Sequence, residues 1–299
     1  DIGVDLGQIK IYGKTSTEEG DITMTAGSDQ YTPGDRNFII EQNGVLESGR
    51  DINLTGRNGD LLVSYRIQAN RDLNAVVLEK GGVFFDESAN LKGDVTVQTE
   101  AGPISIAGKV DANSVDLSTE QGDVSVGGDM SSKSWVNVQV GTGNITTQNI
   151  TANDNVNVTV QNGDIRMHDV TTEGNTTINS TSNGSINGNN IVSGGTTHVA
   201  LTNGDLFLNL AEGKAVVLRM ENNTAASRVN TVLADASGGA GTDVELTGNY
   251  IPIGTIAAKG GNSVLQLSAM GAGNQKLISG EISVGSLRSA NGTHMPSLW

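Results

Sequence analysis

The chain holds no cysteine, which removes disulfide frameworks and thiolate metal sites and leaves the redox compartment undefined. Aromatic residues make up only 3% and prolines number 4, so the core must be built from small aliphatic side chains. Basic residues are scarce: 18 Lys and Arg against 33 Asp and Glu give a net charge of −15. A surface of that sign repels phosphate backbones, so nucleic acid is not an expected partner. No apolar run approaches the roughly 18 residues that a membrane-spanning helix needs, and direct membrane insertion is not expected. Windows dominated by Ala, Leu, Lys and Glu are missing too, which argues against long helices. The chain begins at Asp1 without a secretory leader pattern, as expected of a mature product or a piece of a longer protein.

What the sequence does contain is glycine, 40 residues of it, with abundant Asn, Ser and Thr, a mixture suited to strands and tight turns. Gly82, Gly102, Gly122, Gly143, Gly163, Gly184 and Gly204 follow one another at 20 or 21 residues. Two places after the later six stand Ile104, Val124, Ile145, Ile165, Ile186 and Leu206, and alternation continues for another two places with the period of a strand. A lone apolar residue comes next (Val110, Met130, Ile150, Val170 or Ile191), then a second alternating run such as Val136, Val138 and Val140 or Val156, Val158 and Val160. A unit this short cannot bury its apolar face alone, whereas stacked copies share one core. The repeat therefore predicts an all-β fold, a parallel β-helix or β-solenoid with coils of about 20–21 residues, running as a single domain over residues 1–299. Regularity is best over 82–220; coils over 1–81 and 221–290 are less regular, and 291–299 reads as a tail. "GDITMTAG" at Gly20 and "NGDLLVSY" at Gly59 read as the same motif, with Pro33, Phe38 and "GRDINLTG" in a less regular stretch between them. "ADASGGAGTDVELTGNYIPIG", residues 234–254, reads as a loop or irregular coil.

Two polar columns run through the repeat. The place after the glycine carries Asp123, Asn144, Asp164, Ser185 and Asp205. Carboxylates stacked at strand spacing, about 5 Å, would repel by about 1 kcal/mol in water, and alternation with neutral residues avoids this. Turn chemistry is the favoured role for this column, with calcium ligation as the alternative. The outward place of the second run carries Asp116, Asn137, Asn157, Thr177 and His198. Such a column can hydrogen-bond from coil to coil, and it is also the candidate glycan- or partner-binding face.

Tests for chemistry give little. His168 and His198 fall at different places in the repeat, so with His294 they do not form a metal or catalytic cluster. "GGAGTDVEL" at Gly238 opens like a calcium-binding nonapeptide but carries Glu245 where an apolar residue belongs; calcium there is the one cofactor weighed, and otherwise none is expected. Asp164 and Arg166 both face outward, the nearest approach to the carboxylate-and-base cluster of a β-helical polysaccharide lyase, yet their neighbours supply no further charge. The chain is not expected to be an enzyme.

"GNITTQNITANDNVNVTVQNGDI", residues 143–165, with the coils on either side, resembles the repeats of filamentous-haemagglutinin-type bacterial exoproteins, adhesins secreted through a partner outer-membrane pore. The resemblance implies a right-handed parallel β-helix, secretion to the cell surface through an outer-membrane partner, and attachment to receptors or glycans on host or bacterial surfaces. The secretion domain that opens such proteins is not in this segment. The expected function is thus the shaft or adhesive segment of a large surface fibre, with a polysaccharide lyase or a passive stalk presenting a toxin or tip as alternatives.

Overall fold

The computed structural model describes the backbone of residues 2–4, 8–27, 36–40, 44–64, 66–86, 89–90, 93–224, 226–235, 241–248, 250–259, 263–271, 275–276, 281–289 and 297–298. Among the described residues there is no helix, and every regular element is a strand. The chain divides into two compact units, Asp1–Thr151 and Ala152–Trp299. Each is a β-solenoid, a stack of coils whose strands pair in parallel with the coils before and after.

In the first unit a long sheet is formed by Ile22–Ala26, Ile52–Asn58, Leu73–Lys80, Val95–Ala101, Val115–Gln121 and Val136–Thr142. Val95, Val115 and Val136 sit directly over one another. Between long strands the coil makes short runs, Ile104–Ile106 and Val110–Ala112, which pair with Val124–Val126 and Met130–Ser132 of the next coil. The inward places are the apolar ones of the repeat: Val97, Ile104, Val110, Leu117, Val124 and Val138 are all 0% exposed. Each such side chain contributes about 1.5–3 kcal/mol when buried, but only between a coil above and a coil below.

Two expectations for the early coils are corrected. "GRDINLTG" is a regular member of the long sheet, because Ile52 and Leu54 fill the same inward places as Leu73 and Ala75. The motifs at Gly20 and Gly59 occupy different corners: Ile22 pairs with Ile52 on the long sheet, whereas Leu61 pairs with Val83 among the short strands. Both corners turn the chain into an alternating run, so they look alike in sequence.

The repeating glycine marks one of these corners. Gly122, Gly143, Gly163, Gly184 and Gly204 have φ of 146°, 145°, 143°, 142° and 136°, a conformation that a Cβ disfavours. Room is lacking as well, since a Cβ on Gly143 would run into the carbonyl of Gly122 and one on Gly184 into that of Gly163. The member of this column expected at Gly82 is Gly81, with φ 134°; Gly82 stands one place on, next to Val83, where neighbouring coils have Asp60 and Pro103.

In the second unit a long sheet is formed by Val156–Asn162, Thr176–Asn183, Thr196–Asn203, Ala215–Asn222, Gly241–Gly248 and Ser263–Gly271. Three inward polar residues are paired inside the core: the Ser193 hydroxyl lies 2.7 Å from that of Thr176 and 2.8 Å from that of Thr197. The coil changes form at Leu206. Ile186–Asn187 and Asn190–Ser193 are separate strands, yet both pair with the single strand Leu206–Gly213, so the corner between them is lost. Arg228–Asp235, Tyr250–Lys259 and Glu281–Ser289 keep the fused form. Of the stretch read as a loop or irregular coil over 234–254, the described part is strand, which favours the coil, with Val244 and Leu246 stacked on Val216 and Leu218; residues 236–240 and 249 lie outside the described ones. Ser297 and Leu298 of the expected tail pair with Val264 and Leu265.

Candidate functional site

Within each unit, outward residues of the long sheet stand in register from strand to strand. In the first unit the column runs Thr23, Asn53, Asn74, Thr96, Asp116, Asn137. The Asn74 amide donates to Asn53 Oδ1 at 2.8 Å, and the Asn137 amide to Asp116 Oδ1 at 2.7 Å. In the second unit Asn157, Thr177 and His198 stand in register, followed by Val217 and Glu245. His198 is half-buried, and burial pushes its pKa down, assisted by the Arg219 guanidinium and opposed by Glu245. An imidazole so placed is neutral near pH 7 and offers one N–H and one acceptor nitrogen.

The column after the corner glycine is spent on the backbone. Asp123 Oδ1 accepts from the Asn144 N–H at 2.7 Å in the first unit. In the second, Asp164 Oδ1 accepts from the Ser185 N–H at 2.9 Å and Ser185 Oγ from the Asp205 N–H at 3.0 Å. Asp205 Oδ1 then accepts from the Thr224 N–H at 2.8 Å and the Ser227 hydroxyl at 2.8 Å. Each side chain thus caps a backbone donor of the following coil at a point where the strand ladder is interrupted.

A further acidic column escaped the repeat pattern. At the corner that opens the long sheet, Asp21, Asp51, Asp72 and Asp94 stand in consecutive coils. Each of the first three accepts from the backbone N–H of the next, at 3.2, 3.2 and 2.9 Å. Arginines offset the like charges: Arg71 Nε lies 2.6 Å from Asp51 Oδ1, and Arg50 Nε 3.5 Å from Asp21 Oδ1. The Arg71 hydrogen bond, with the Asp72 N–H, holds the Asp51 carboxyl below the usual carboxylate range. A usable sequence signal was present, since Gly20-Asp21-Ile22, Arg50-Asp51-Ile52, Arg71-Asp72-Leu73 and Gly93-Asp94-Val95 share one triplet pattern.

Of the remaining candidates, the described histidines are not brought together. His168 is exposed with Nδ1 3.2 Å from Asp169 Oδ2, while His198 lies on the long-sheet face; His294 lies outside the described residues. Arg166 pairs with Asp164 at 3.1 Å. Gly238 and Gly239 of the nonapeptide-like segment also lie outside the described residues, and Glu245 pairs with Arg219 at 3.0 Å. Among the described residues no group of three or more His, Asp or Glu is placed to hold a metal ion.

No curated protein and no solved structure matches the chain. A family model described as Toastrack DUF4097 matches residues 1–235, most of the chain, and the chain belongs to that family.

Proposed function

We propose that this chain is the shaft or adhesive segment of a secreted surface fibre, a scaffold that presents a repeated polar face for attachment to cells, surfaces or other bacteria. The observation that carries the reading is the use made of outward polar side chains. They bond from coil to coil, as Asn74 to Asn53 and Asn137 to Asp116, or cap backbone donors, as Asp123 and Asp164 do. A face built this way lengthens with each added coil, with contacts made only between neighbours. Attachment through it is weak at each place and gains from repetition. The extracellular setting, the outer-membrane secretion partner, and receptors or glycans as ligands rest on the resemblance to haemagglutinin-type repeats.

The second reading, a polysaccharide lyase, draws on the exposed Asp164–Arg166 pair. Both are tested together. The purified chain is incubated with pectin and alginate, with and without calcium, while unsaturated products are followed by absorbance. Beads coated with it are scored for adherence to host cells and to bacteria. Adherence without products is expected. Products abolished by Asp164→Asn or Arg166→Ala would replace the attachment reading with the lyase, and absence of adherence would reduce the segment to a spacer.

A further inference from the structure

An asparagine followed by glycine can react with its own backbone, because glycine has no Cβ to shield the nitrogen that attacks the side-chain amide. Among the described residues the pair occurs at Asn58, Asn162, Asn183, Asn187 and Asn203. All but Asn187 precede a corner glycine of positive φ, namely Gly59, Gly163, Gly184 or Gly204. The side chains at these corners are tied to a neighbouring coil. Asn58 Nδ2 donates to Glu79 Oε2 at 2.8 Å. Asn162 Oδ1 accepts from the Asn183 amide at 3.2 Å, and Asn183 Oδ1 from the Asn203 amide at 3.3 Å. Asn203 is held from both sides: its Oδ1 accepts from the Asn222 amide at 2.9 Å, and its Nδ2 donates to the Ser182 carbonyl at 2.7 Å.

Asn187 is held differently. It stands on the outward side of a short strand, in register with Arg166 on one side and Phe207 on the other. Phe207 has no polar side-chain atom, and Arg166 turns to Asp164 at 3.1 Å. The exposed Asn187 amide therefore has no hydrogen-bond partner among the described residues. Exposure does not set it apart, since Asn183 is exposed as well. Neither does the attacking nitrogen: the Gly188 N–H donates to the Phe207 carbonyl at 2.9 Å, much as those of Gly59, Gly163 and Gly184 donate to Lys80, Asn183 and Asn203. What differs is the freedom of the side chain to swing its Cγ onto that nitrogen. At each corner a side-chain bond must open in addition, whereas at Asn187 only the backbone bond stands in the way.

We propose that Asn187 is a site of spontaneous deamidation, and that the coil stack withholds the same reaction from the corner asparagines. The Gly188 nitrogen forms a bond to Asn187 Cγ, the bond from Cγ to Nδ2 breaks, and ammonia leaves with the proton from Gly188. The product is a cyclic succinimide, and nothing is oxidised or reduced. Water then opens one of its two imide C–N bonds, giving aspartate or the isomer whose backbone runs through the side-chain carboxyl. Either product places a carboxylate beside Arg166. The isomer also lengthens the backbone where the Asn187 carbonyl accepts from the Met167 N–H at 2.9 Å, in the coil that precedes the change of form at Leu206. The test is incubation of the folded full chain in mildly alkaline buffer, with peptide mapping by mass spectrometry to follow aspartate and its isomer at each of the five asparagines. Asn187 should convert about fivefold faster than any corner asparagine, the factor that one net hydrogen bond is worth. In concentrated urea all five should convert alike. Asn183→Ala removes the bond to Asn162 Oδ1, so in that folded variant Asn162 should speed up toward the Asn187 rate. Equal rates at the five sites in the folded chain would overturn the proposal. So would an unreacted Asn187 in the time that the unfolded chain takes to convert, or an Asn162 rate unmoved by Asn183→Ala.

Discussion

At Gly143 two constraints coincide, a φ of 145° and the carbonyl of Gly122 where a Cβ would have to go. The backbone term alone costs about 1–3 kcal/mol for a residue other than glycine. Gly143→Ala should therefore lower the unfolding free energy by about 3 kcal/mol, measured by urea titration. Gly13→Ala, whose Cβ meets nothing within 4 Å, should change it by less than about 0.5 kcal/mol. Equal effects would mean that the corner is not under this constraint. Because conformation and space both demand glycine there, the column could be read from spacing alone. It was misplaced by one residue only at the doublet Gly81-Gly82, where spacings of 20 and 21 both fit. What decides the doublet is contact with the coil before it: a Cβ on Gly81 would strike the carbonyl of Gly59, and no single sequence displays that.

Between coils, the stacked aspartates explain where the sequence reading stopped. The step from Asp21 to Asp51 is 30 residues, and the next two are 21 and 22, so a search at constant spacing passes over the column although the triplet pattern is there. Its energetics make a pH prediction. Asp51 is held below its ordinary pKa chiefly by Arg71, so its contribution is present above the unfolded-state value of about 3.9 and is lost as pH falls through the lower folded value. Arg71→Gln should lower the urea midpoint at pH 7, and the gap to the parent should narrow as pH is taken from about 5 to about 2. Added salt should narrow it too at pH 7, since the pair is partly exposed. A gap that stays constant across that pH range would show that the pair contributes nothing specific.

For the molecule as a whole, each unit is held by contacts between one coil and the next, which is why a β-solenoid could be read from periodicity. Ile104, Val124 and Ile145 each need the other's coil to be buried. The change of form at Leu206 was not readable. Fusing two short runs into Leu206–Gly213 alters which residues turn a corner but keeps apolar residues such as Leu208 and Ala211 inward, so the alternation looks like any other. The candidate face was legible in part: the column Asn157, Thr177, His198 followed from spacing, whereas the placing of Ala200 between Asn179 and Arg219 is a relation across three coils. The claim beneath all of this is that one coil lies directly on the next in the stated register. The absence of cysteine permits a clean measurement, because only introduced thiols can bridge. Asn157→Cys with Thr177→Cys places the thiols on neighbouring strands, whose spacing of about 4.8 Å lies within disulfide reach. Asn157→Cys with His198→Cys places them two strands apart, at about twice that distance and beyond it. Under mild oxidation the first pair should close an intramolecular disulfide in nearly every molecule and the second should stay reduced, whereas closure of the second pair, or failure of the first in a folded protein, would contradict the stack.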